Sequence, residues 1–326
     1  MTISIIIPSY NRGNLALQRA NELLPYLSED VDLWILNNAS TEYVDDYNSL
    51  RNIENPYFHY IENEKNIGGN PNFMKGYSIC DGDYGLFTSD EDAIIGENLI
   101  HYVRLLKVNP DVTFMKARGK GYNFTDMQVA DAGIDAVKLT FQRNNYLSGS
   151  IYNRKVLTPE IIKIYDEAYG TDNMAYHYYN HLFWTDFCAL RGKCVFCNIA
   201  LIFETEGNHA AEEKKRILTD DIYVNNLEYT SYKSRINQFY GFVDEISDLG
   251  CDENIIQEML RELIGKYGML IGFLKDEYIR RNLDFGAVKT MMRQDMKDYI
   301  YASPIELNEG EKSWINSLID AAAERM

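Results

Sequence analysis

The chain has 326 residues, 46% of them hydrophobic, and a formal charge of −17. This length and apolar content allow one large domain or two modest ones with a full core, and exclude general disorder. The negative charge excludes non-specific binding to nucleic acid, whose phosphates would be repelled, but leaves room for local basic pockets.

The chain opens with Ile3-Ser-Ile-Ile-Ile7, which predicts a strand buried on both faces of a parallel sheet, stopped by Pro8. The run is too short for a signal peptide, and no stretch approaches a membrane span, so a cytoplasmic protein is expected. Ser9, Tyr10, Asn11 and Arg12 form a polar strand-to-helix loop. Ligands of open α/β sheets bind at such carboxyl ends, where a ring, an amide and a guanidinium suit a base and phosphates. The same four residues would also serve as a plain helix start. Leu17, Ala20, Leu24 and Leu27 follow at helical spacing.

Val31–Leu36 predicts a second strand, and Ser40 or Thr41 a cap for a helix carrying Val44, Tyr47 and Leu50. Tyr57–Ile61 is a third strand. Pro71 suits the first turn of a helix running toward Ile79. Tyr84–Thr88 is a fourth, followed by a helix with Leu99, Val103 and Leu106. Such repeated units predict an α/β fold with a doubly wound, mainly parallel sheet and helices on both faces. Thr113–Lys116, Tyr146–Tyr152 and Cys194–Phe203 read as further strands. Helices are expected from Thr158-Pro159 and over Trp184–Arg191.

From about Asp220 the chain is mostly helical, with Ile255, Met259 and Leu263, then Met269, Leu270, Phe273 and Leu274 in register. Gly250, Gly286 and Ser303-Pro304 punctuate it. The expected division is residues 1–215 and a helical extension over 216–326. Tyr223, Tyr229, Tyr232 and Tyr240 would line an acceptor site or, as the favoured reading, pack. The five cysteines are an odd number, as in a reducing compartment. Cys194-Val-Phe-Cys197 has metal-knuckle spacing but no second pair. His177 and His181 have i, i+4 spacing without the glutamate of a zinc-protease motif.

The strongest chemical signal is Thr88-Ser-Asp-Glu-Asp92. Three acids follow a buried strand. They are costly there unless something cationic is near, and oxygen ligands suit a hard divalent ion that also holds phosphate. The competing reading is an acidic surface turn.

Ile5-Ile-Ile-Pro-Ser-Tyr-Asn-Arg12, Leu36-Asn-Asn-Ala-Ser-Thr-Glu42, Asn63-Glu-Lys-Asn-Ile-Gly-Gly-Asn70 and Phe87-Thr-Ser-Asp-Glu-Asp92 together resemble a family 2 glycosyltransferase of the glycosyltransferase A fold. More narrowly, the chain is similar to bacterial enzymes that assemble capsule or lipopolysaccharide sugars. The match covers about the first hundred residues, and Asn145–Arg154 and Trp184-Thr-Asp186 extend it. The resemblance implies inverting transfer from a nucleoside-diphosphate sugar to a hydroxyl of a saccharide or lipid-linked saccharide. It places Pro8, Tyr10 and Arg12 at the nucleotide. Asn37 stands where many members carry an aspartate for base or ribose, and Lys65, Asn66, Gly68 and Gly69 lie near nucleotide and diphosphate. Asp90 would face ribose or sugar. Asp92 would hold Mn2+ or Mg2+, with His209 meeting metal or diphosphate. Asp186 is the implied general base, at the start of a helix, although Thr185 precedes it where many members have glutamate. Gly149 and Arg154 would shape the acceptor side. The helical region would serve the acceptor, a homo-oligomer contact or the inner face of the membrane. A nucleotidyltransferase would need a glycine- and basic-rich loop after the first strand, which Pro8–Arg12 does not supply. The presence of Asp90, Asp92 and Asp186 weighs against a non-catalytic binding protein.

Overall fold

The computed structural model describes residues 1–119, 122, 124–204, 232–280 and 284–324. The strands are β1 (Ile3–Ser9), β2 (Val31–Asn37), β3 (Phe58–Glu62), β4 (Tyr84–Phe87), β5 (Asp92–Ile94), β6 (Val112–Arg118), β7 (Gln128–Ala130), β8 (Ser150–Asn153), β9 (Lys193–Ala200) and β10 (Ile202–Glu204). Between them lie α1 (Gly13–Leu23), α2 (Val44–Arg51), α3 (Gly69–Ile79), α4 (Gly96–Val108), α5 (Ile134–Thr140), α6 (Pro159–Tyr169) and α7 (Met174–Ala189). Eight strands form one sheet in the order β3-β2-β1-β4-β8-β6-β9-β7, and β5 pairs with β10 separately. The β3, β2, β1 and β4 strands are mutually parallel, and β6 and β9 run parallel to each other. β8 and β7 are antiparallel to their neighbours.

Strand period decides which helices cover which face. Ile3, Ile5 and Ile7 join a core with Ala16 and Ala20 of α1 and Leu99 and Val103 of α4. Ile6 points the other way, toward α3. A Cβ on Gly76 of that helix would lie 2.7 Å from Ile6 and 2.8 Å from Leu36, so only glycine allows the helix this close.

Several boundaries differ from the sequence expectation, each for a local reason. Pro8 does not end β1: it stands in register with Leu36, and Ser9 with Asn37. Ile6 accepts from Thr88 N, whereas Ser9 accepts from Asn38 N. Even-numbered residues therefore bond toward β4, which ends at Phe87, and the missing proline N–H has no strand to reach. The Tyr146–Tyr152 run is strand only from Ser150, because the preceding residues bond to other groups described below. The Cys194–Phe203 run breaks at Leu201, whose N–H goes to Arg118 and whose carbonyl takes Ile95 N. Cys194 and Cys197, three residues apart on β9, fall on opposite faces of the strand, and both are buried. β7 was not expected; its residues are largely exposed. The helix expected over Trp184–Arg191 begins earlier, at Met174, and is kinked at Tyr179 (φ −137°, ψ 38°). The kink breaks the i, i+4 geometry of His177 and His181.

The chain divides into two compact units. The first holds Met1–Thr140, Asn144–Asp166 and Trp184–Gly207, and with them the whole sheet. The second holds Phe141–Arg143, Glu167–Phe183 and Asn208–Met326. Its helices include α8 (Tyr232–Asp248), α9 (Glu253–Arg280), α10 (Phe285–Ala302) and α11 (Glu309–Glu324). Ile255, Met259 and Leu263 are buried as their spacing requires, but Met269 is 68% exposed. Gly250, at φ +65°, separates α8 from α9. Gly286 does not interrupt a helix: it lies in the first turn of α10 and donates its N–H to the capping Asp284 at 2.9 Å. Tyr240 packs, stacking on Tyr299 with centroids 3.9 Å apart. Tyr223 and Tyr229 lie outside the described residues. Among the described residues no helix is long and apolar enough to cross a membrane.

Candidate active site

The first two loops at the carboxyl edge of the sheet are tied to each other. Asn11 (φ +54°) donates its N–H to Ser40 Oγ at 2.8 Å, and its side-chain oxygen accepts Thr41 N at 2.9 Å and Glu42 N at 3.2 Å. Ser40 and Thr41 are thus committed to this lock and do not cap α2. That helix starts after Tyr43, itself left-handed at φ +55°. With Ala39 at φ +56°, three non-glycine residues hold strained backbone in these two loops. The lock leaves Tyr10 44% exposed at the edge.

Asn37 is buried, accepting Ser40 N at 3.0 Å and donating to the Tyr60 hydroxyl at 3.0 Å. Its neighbour Asn38 anchors the third loop: its amide donates to Asn66 Oδ1 at 2.8 Å and to the Gly68 carbonyl at 3.1 Å, while its oxygen accepts Ile67 N at 3.0 Å. Asn63 donates to Asn38 and to Asn72, and Lys75 Nζ donates to Asn63 Oδ1 at 2.6 Å. This amide lattice fixes the Lys65–Gly69 loop, with Lys65, Asn66, Gly68 and Gly69 exposed. Gly68 needs its φ of +93°; a Cβ on Gly69 would meet nothing within 4 Å, so the protein itself places no limit there.

The acidic turn follows β4. Asp90, Glu91 and Asp92 are all buried. Arg12 lies 3.4 Å from Asp90 and 2.5 Å from Glu91, and Ser9 Oγ donates to Asp90 at 2.8 Å. Tyr47 of α2 completes this corner, 2.7 Å from Ser9 Oγ and accepting Arg12 N at 3.2 Å. Burial pushes the Asp90 carboxyl above its usual range, against the Ser9 bond and the Arg12 charge. Asp92 has a different shell: Ser148 Oγ donates to its Oδ2 at 2.7 Å, and the Tyr146 hydroxyl donates to the same oxygen. Burial first, and then the Asp92 carboxylate, push the Tyr146 phenol up.

The structure therefore brings Pro8, Tyr10, Arg12, Asn37, the Lys65–Gly69 loop, Asp90 and Asp92 to the carboxyl ends of consecutive parallel strands. Asp186 is fully buried in the last turn of α7, not at a helix start. Two residues on, the Cys188 carbonyl accepts Thr113 Oγ1 at 2.9 Å, at the amino end of β6. Its neighbour Thr185 lies 3.0 Å from the Tyr152 hydroxyl, and Tyr152 pairs with Gly85. From Gly85 to Phe87, where the acidic turn begins, is about 7 Å of strand. Arg154 is also at the amino side, donating to the Gly82 and Tyr77 carbonyls at 3.0 Å. His209 lies outside the described residues. Tyr47, Tyr146, Ser148 and, of the asparagine lattice, Asn38, Asn63 and Asn72 are given no site role by the sequence. The recurrence of Asn38, Asn63, Asn66 and Asn72 around one glycine loop was the available signal.

Among the described residues, no group of three or more His, Cys, Asp or Glu is arranged to hold a metal ion. Asp92 alone still fits a hard cation, which commonly takes one or two carboxylates and completes its shell with substrate phosphates and water.

Residues 4–165 match the family described as Glycosyl transferase family 2. The chain belongs to the family 2 glycosyltransferases. This transferase is similar to abequosyltransferase RfbV of Salmonella typhimurium, 23% identical over 344 residues, covering 89% of this chain and 100% of that one. Among solved structures it resembles Staphylococcus aureus TarS 1-349 in complex with UDP, at TM-score 0.63 and 15% identity, over 100% of this chain and 88% of that one. It also resembles the mannosyltransferase PcManGT from Pyrobaculum calidifontis in complex with GDP-Man and Mn2+, at TM-score 0.52 and 11% identity, over 99% and 86% of the two chains. At these identities the likeness speaks for the fold. The glycosyltransferase A fold with a helical C-terminal region is the fold of this transferase.

Proposed function

We propose that this glycosyltransferase is an inverting enzyme that moves a sugar from a nucleoside-diphosphate donor to a hydroxyl of a saccharide or lipid-linked saccharide, in bacterial surface polysaccharide synthesis. One observation carries the donor site: Arg12 pairs with the buried Asp90 and Glu91 at the carboxyl ends of β1 and β4, and the buried Asp92 follows them in the same turn. The exposed Tyr10 offers a ring for a base, Arg12 a fork for phosphate, and the exposed Lys65 a positive charge. Pro8 and Asn37 shape the pocket wall, and Asn66, Gly68 and Gly69 present backbone to the nucleotide. The relatives named above support the reading, being an abequosyltransferase and proteins held with UDP or GDP-Man.

Asp92, with His209, would hold Mn2+ or Mg2+. When bound, such an ion offsets the charge that develops on the departing diphosphate. The chain's own work is to hold the nucleotide at the strand ends, to orient the sugar beside Asp90, and to take the acceptor proton. For that proton we propose the acid the resemblance assigns, Asp186, against one competitor, Glu204, whose backbone stands opposite Asp92 in the β5–β10 register. Full burial of Asp186 is the physical objection to it. Cytoplasmic placement, with the C-terminal helices serving an acceptor, a second copy or the membrane face, completes the proposal.

The test is release of nucleoside diphosphate from a panel of nucleotide sugars, with and without a saccharide acceptor. Loss of the base should cost on the order of 100- to 10,000-fold in transfer while nucleotide affinity is kept. That loss in Asp186→Asn supports the first assignment. The same loss in Glu204→Gln, with Asp186→Asn active, moves the role to Glu204. A protein that binds none of the panel refutes the donor site.

A further inference from the structure

Lys116 is fully buried in the middle of the sheet, on β6. An ammonium in such a place is expensive unless every proton is used. Here it donates to the Tyr146 carbonyl, to the Ser148 carbonyl at 2.9 Å, and to Ser150 Oγ at 3.4 Å. The Tyr122 ring covers it, with Nζ 4.5 Å from the centroid.

The two carbonyls it grips belong to the residues whose hydroxyls hold Asp92. Tyr146 is fixed at three points: its N–H donates to the Tyr122 hydroxyl at 3.1 Å, its carbonyl takes Lys116, and its phenol donates to Asp92. Ser148 is fixed likewise, since its Oγ accepts Ser89 N at 2.9 Å and donates to Asp92 at 2.7 Å. Gly149 closes the loop at φ +82°, giving its N–H to Phe87 and its carbonyl to Ala117 N, each at 2.8 Å. A core that needed only volume at position 116 would be filled by an apolar side chain at lower cost.

We propose that Lys116 is a positioning residue for the acidic turn: it clamps the Tyr146–Gly149 loop from below so that two hydroxyls hold one oxygen of Asp92 and aim the carboxylate at the donor's diphosphate and its ion. The proposal rests on the donor-site reading above. Lys116 touches neither donor nor ion and acts through Tyr146 and Ser148. Groups one bond removed from a ligand typically change metal affinity or activity about 10- to 100-fold when lost.

The test uses the full chain with UDP, GDP and CDP as probes, each titrated once with chelator and once with Mn2+, free Mn2+ being read by electron paramagnetic resonance. For Lys116→Met, nucleotide affinity in chelator should stay within about two-fold of wild type, while the gain on adding Mn2+ falls about 10-fold or more. Tyr146→Phe combined with Ser148→Ala, which leaves Lys116 in place, should give the same selective loss. Adding Lys116→Met to that pair should cost little more, because groups acting in one chain are not additive. Where Lys116→Met fails to fold, Lys116→Gln, which keeps a donor but not the ammonium, takes its place and is read against the same two outcomes. Equal weakening with and without Mn2+ marks a merely structural lysine and overturns the proposal, as does an unchanged Mn2+ gain. Wild-type protein that binds none of the three nucleotides, with or without Mn2+, overturns the donor-site reading and the proposal together.

Discussion

At the amino edge of the sheet, Asp83 exchanges bonds with Thr2, accepting its N–H at 3.1 Å and donating to its hydroxyl at 3.1 Å, and lies 3.0 Å from Lys155 and 3.4 Å from the amino terminus. Its charges are exposed or half-exposed and locally balanced. At the carboxyl edge, Asp90, Glu91 and Asp92 are all buried, with Arg12 as the guanidinium beside the first two. Asn11, Ala39, Tyr43, Gly68 and Gly149 take positive φ there. Folding alone explains the first edge. The second carries burial of like charges and backbone strain that a stable sheet does not need, and such departures mark binding sites.

The largest break in this contrast should come from Asp92→Asn. The amide still accepts from Tyr146 and Ser148, so the melting temperature should stay close to wild type. Loss of the charge should lower sugar transfer on the order of 100-fold or more, as expected when a site loses its hold on a diphosphate-bound cation. Turnover indifferent both to this change and to chelator would remove Asp92 from the mechanism.

Arg12→Ala tests the cost of the buried acids. Without the guanidinium, Asp90 and Glu91 lose the cation that pairs with both of them. Because Arg12 is itself partly exposed, the loss should be roughly 1–2 kcal/mol in urea unfolding, below the cost of breaking a fully buried pair. Nucleotide affinity should fall as well. Unchanged affinity in a destabilised Arg12→Ala would confine this residue to a structural role.

Two glycines separate strain from space. Gly149→Ala meets both, since its φ is +82° and the new Cβ would lie 2.8 Å from Ile202. Gly68→Ala at φ +93° has its nearest protein neighbour at 3.6 Å, so it meets strain alone. The first should cost about 2–3 kcal/mol and the second about 1 kcal/mol. Thermal unfolding of the two side by side checks the order, and equal costs would show that the Ile202 approach is soft.

The smallest effect belongs to the amino edge. Burial would raise the Asp83 carboxyl, but Lys155, the Thr2 N–H and the amino terminus outweigh it and hold it below its usual range. A depressed carboxylate stabilises the fold above its unfolded value, near pH 4, and the contribution fades as pH falls through the lower folded value. Asp83→Asn should therefore cost less than about 1 kcal/mol at pH 7, lose that difference toward pH 3, and leave turnover unchanged. A gap between variant and wild type that widens on acidification would reverse the sign.

The first four strands and the helices that follow them, up to α4, were legible because each fits a local rule, whereas the short β5 between β4 and α4 was not. Ile3–Ile7 has the continuous apolar run of a central strand, and Pro159 sits at the first position of α6 after Thr158, as capping geometry requires. The acidic turn was legible for the same reason, since three acids after a buried strand break the local rule without any help from tertiary structure. Boundaries set by partners were not legible. Pro8 stays in β1 because β4 ends opposite it, a fact about another segment of the chain. Asn38, Tyr146, Ser148 and Lys116 draw their roles from residues about 25 to 55 positions away, and no periodicity records such a bond. Asp186 shows the converse. Its motif suggested an open site, but Asp186 is fully buried in the last turn of α7, two residues before Cys188, whose carbonyl accepts Thr113 Oγ1 at the amino end of β6. The residue types at the strand ends follow from the sequence by itself. Which of them face one another was decided by sheet order and by side chains that bond across it.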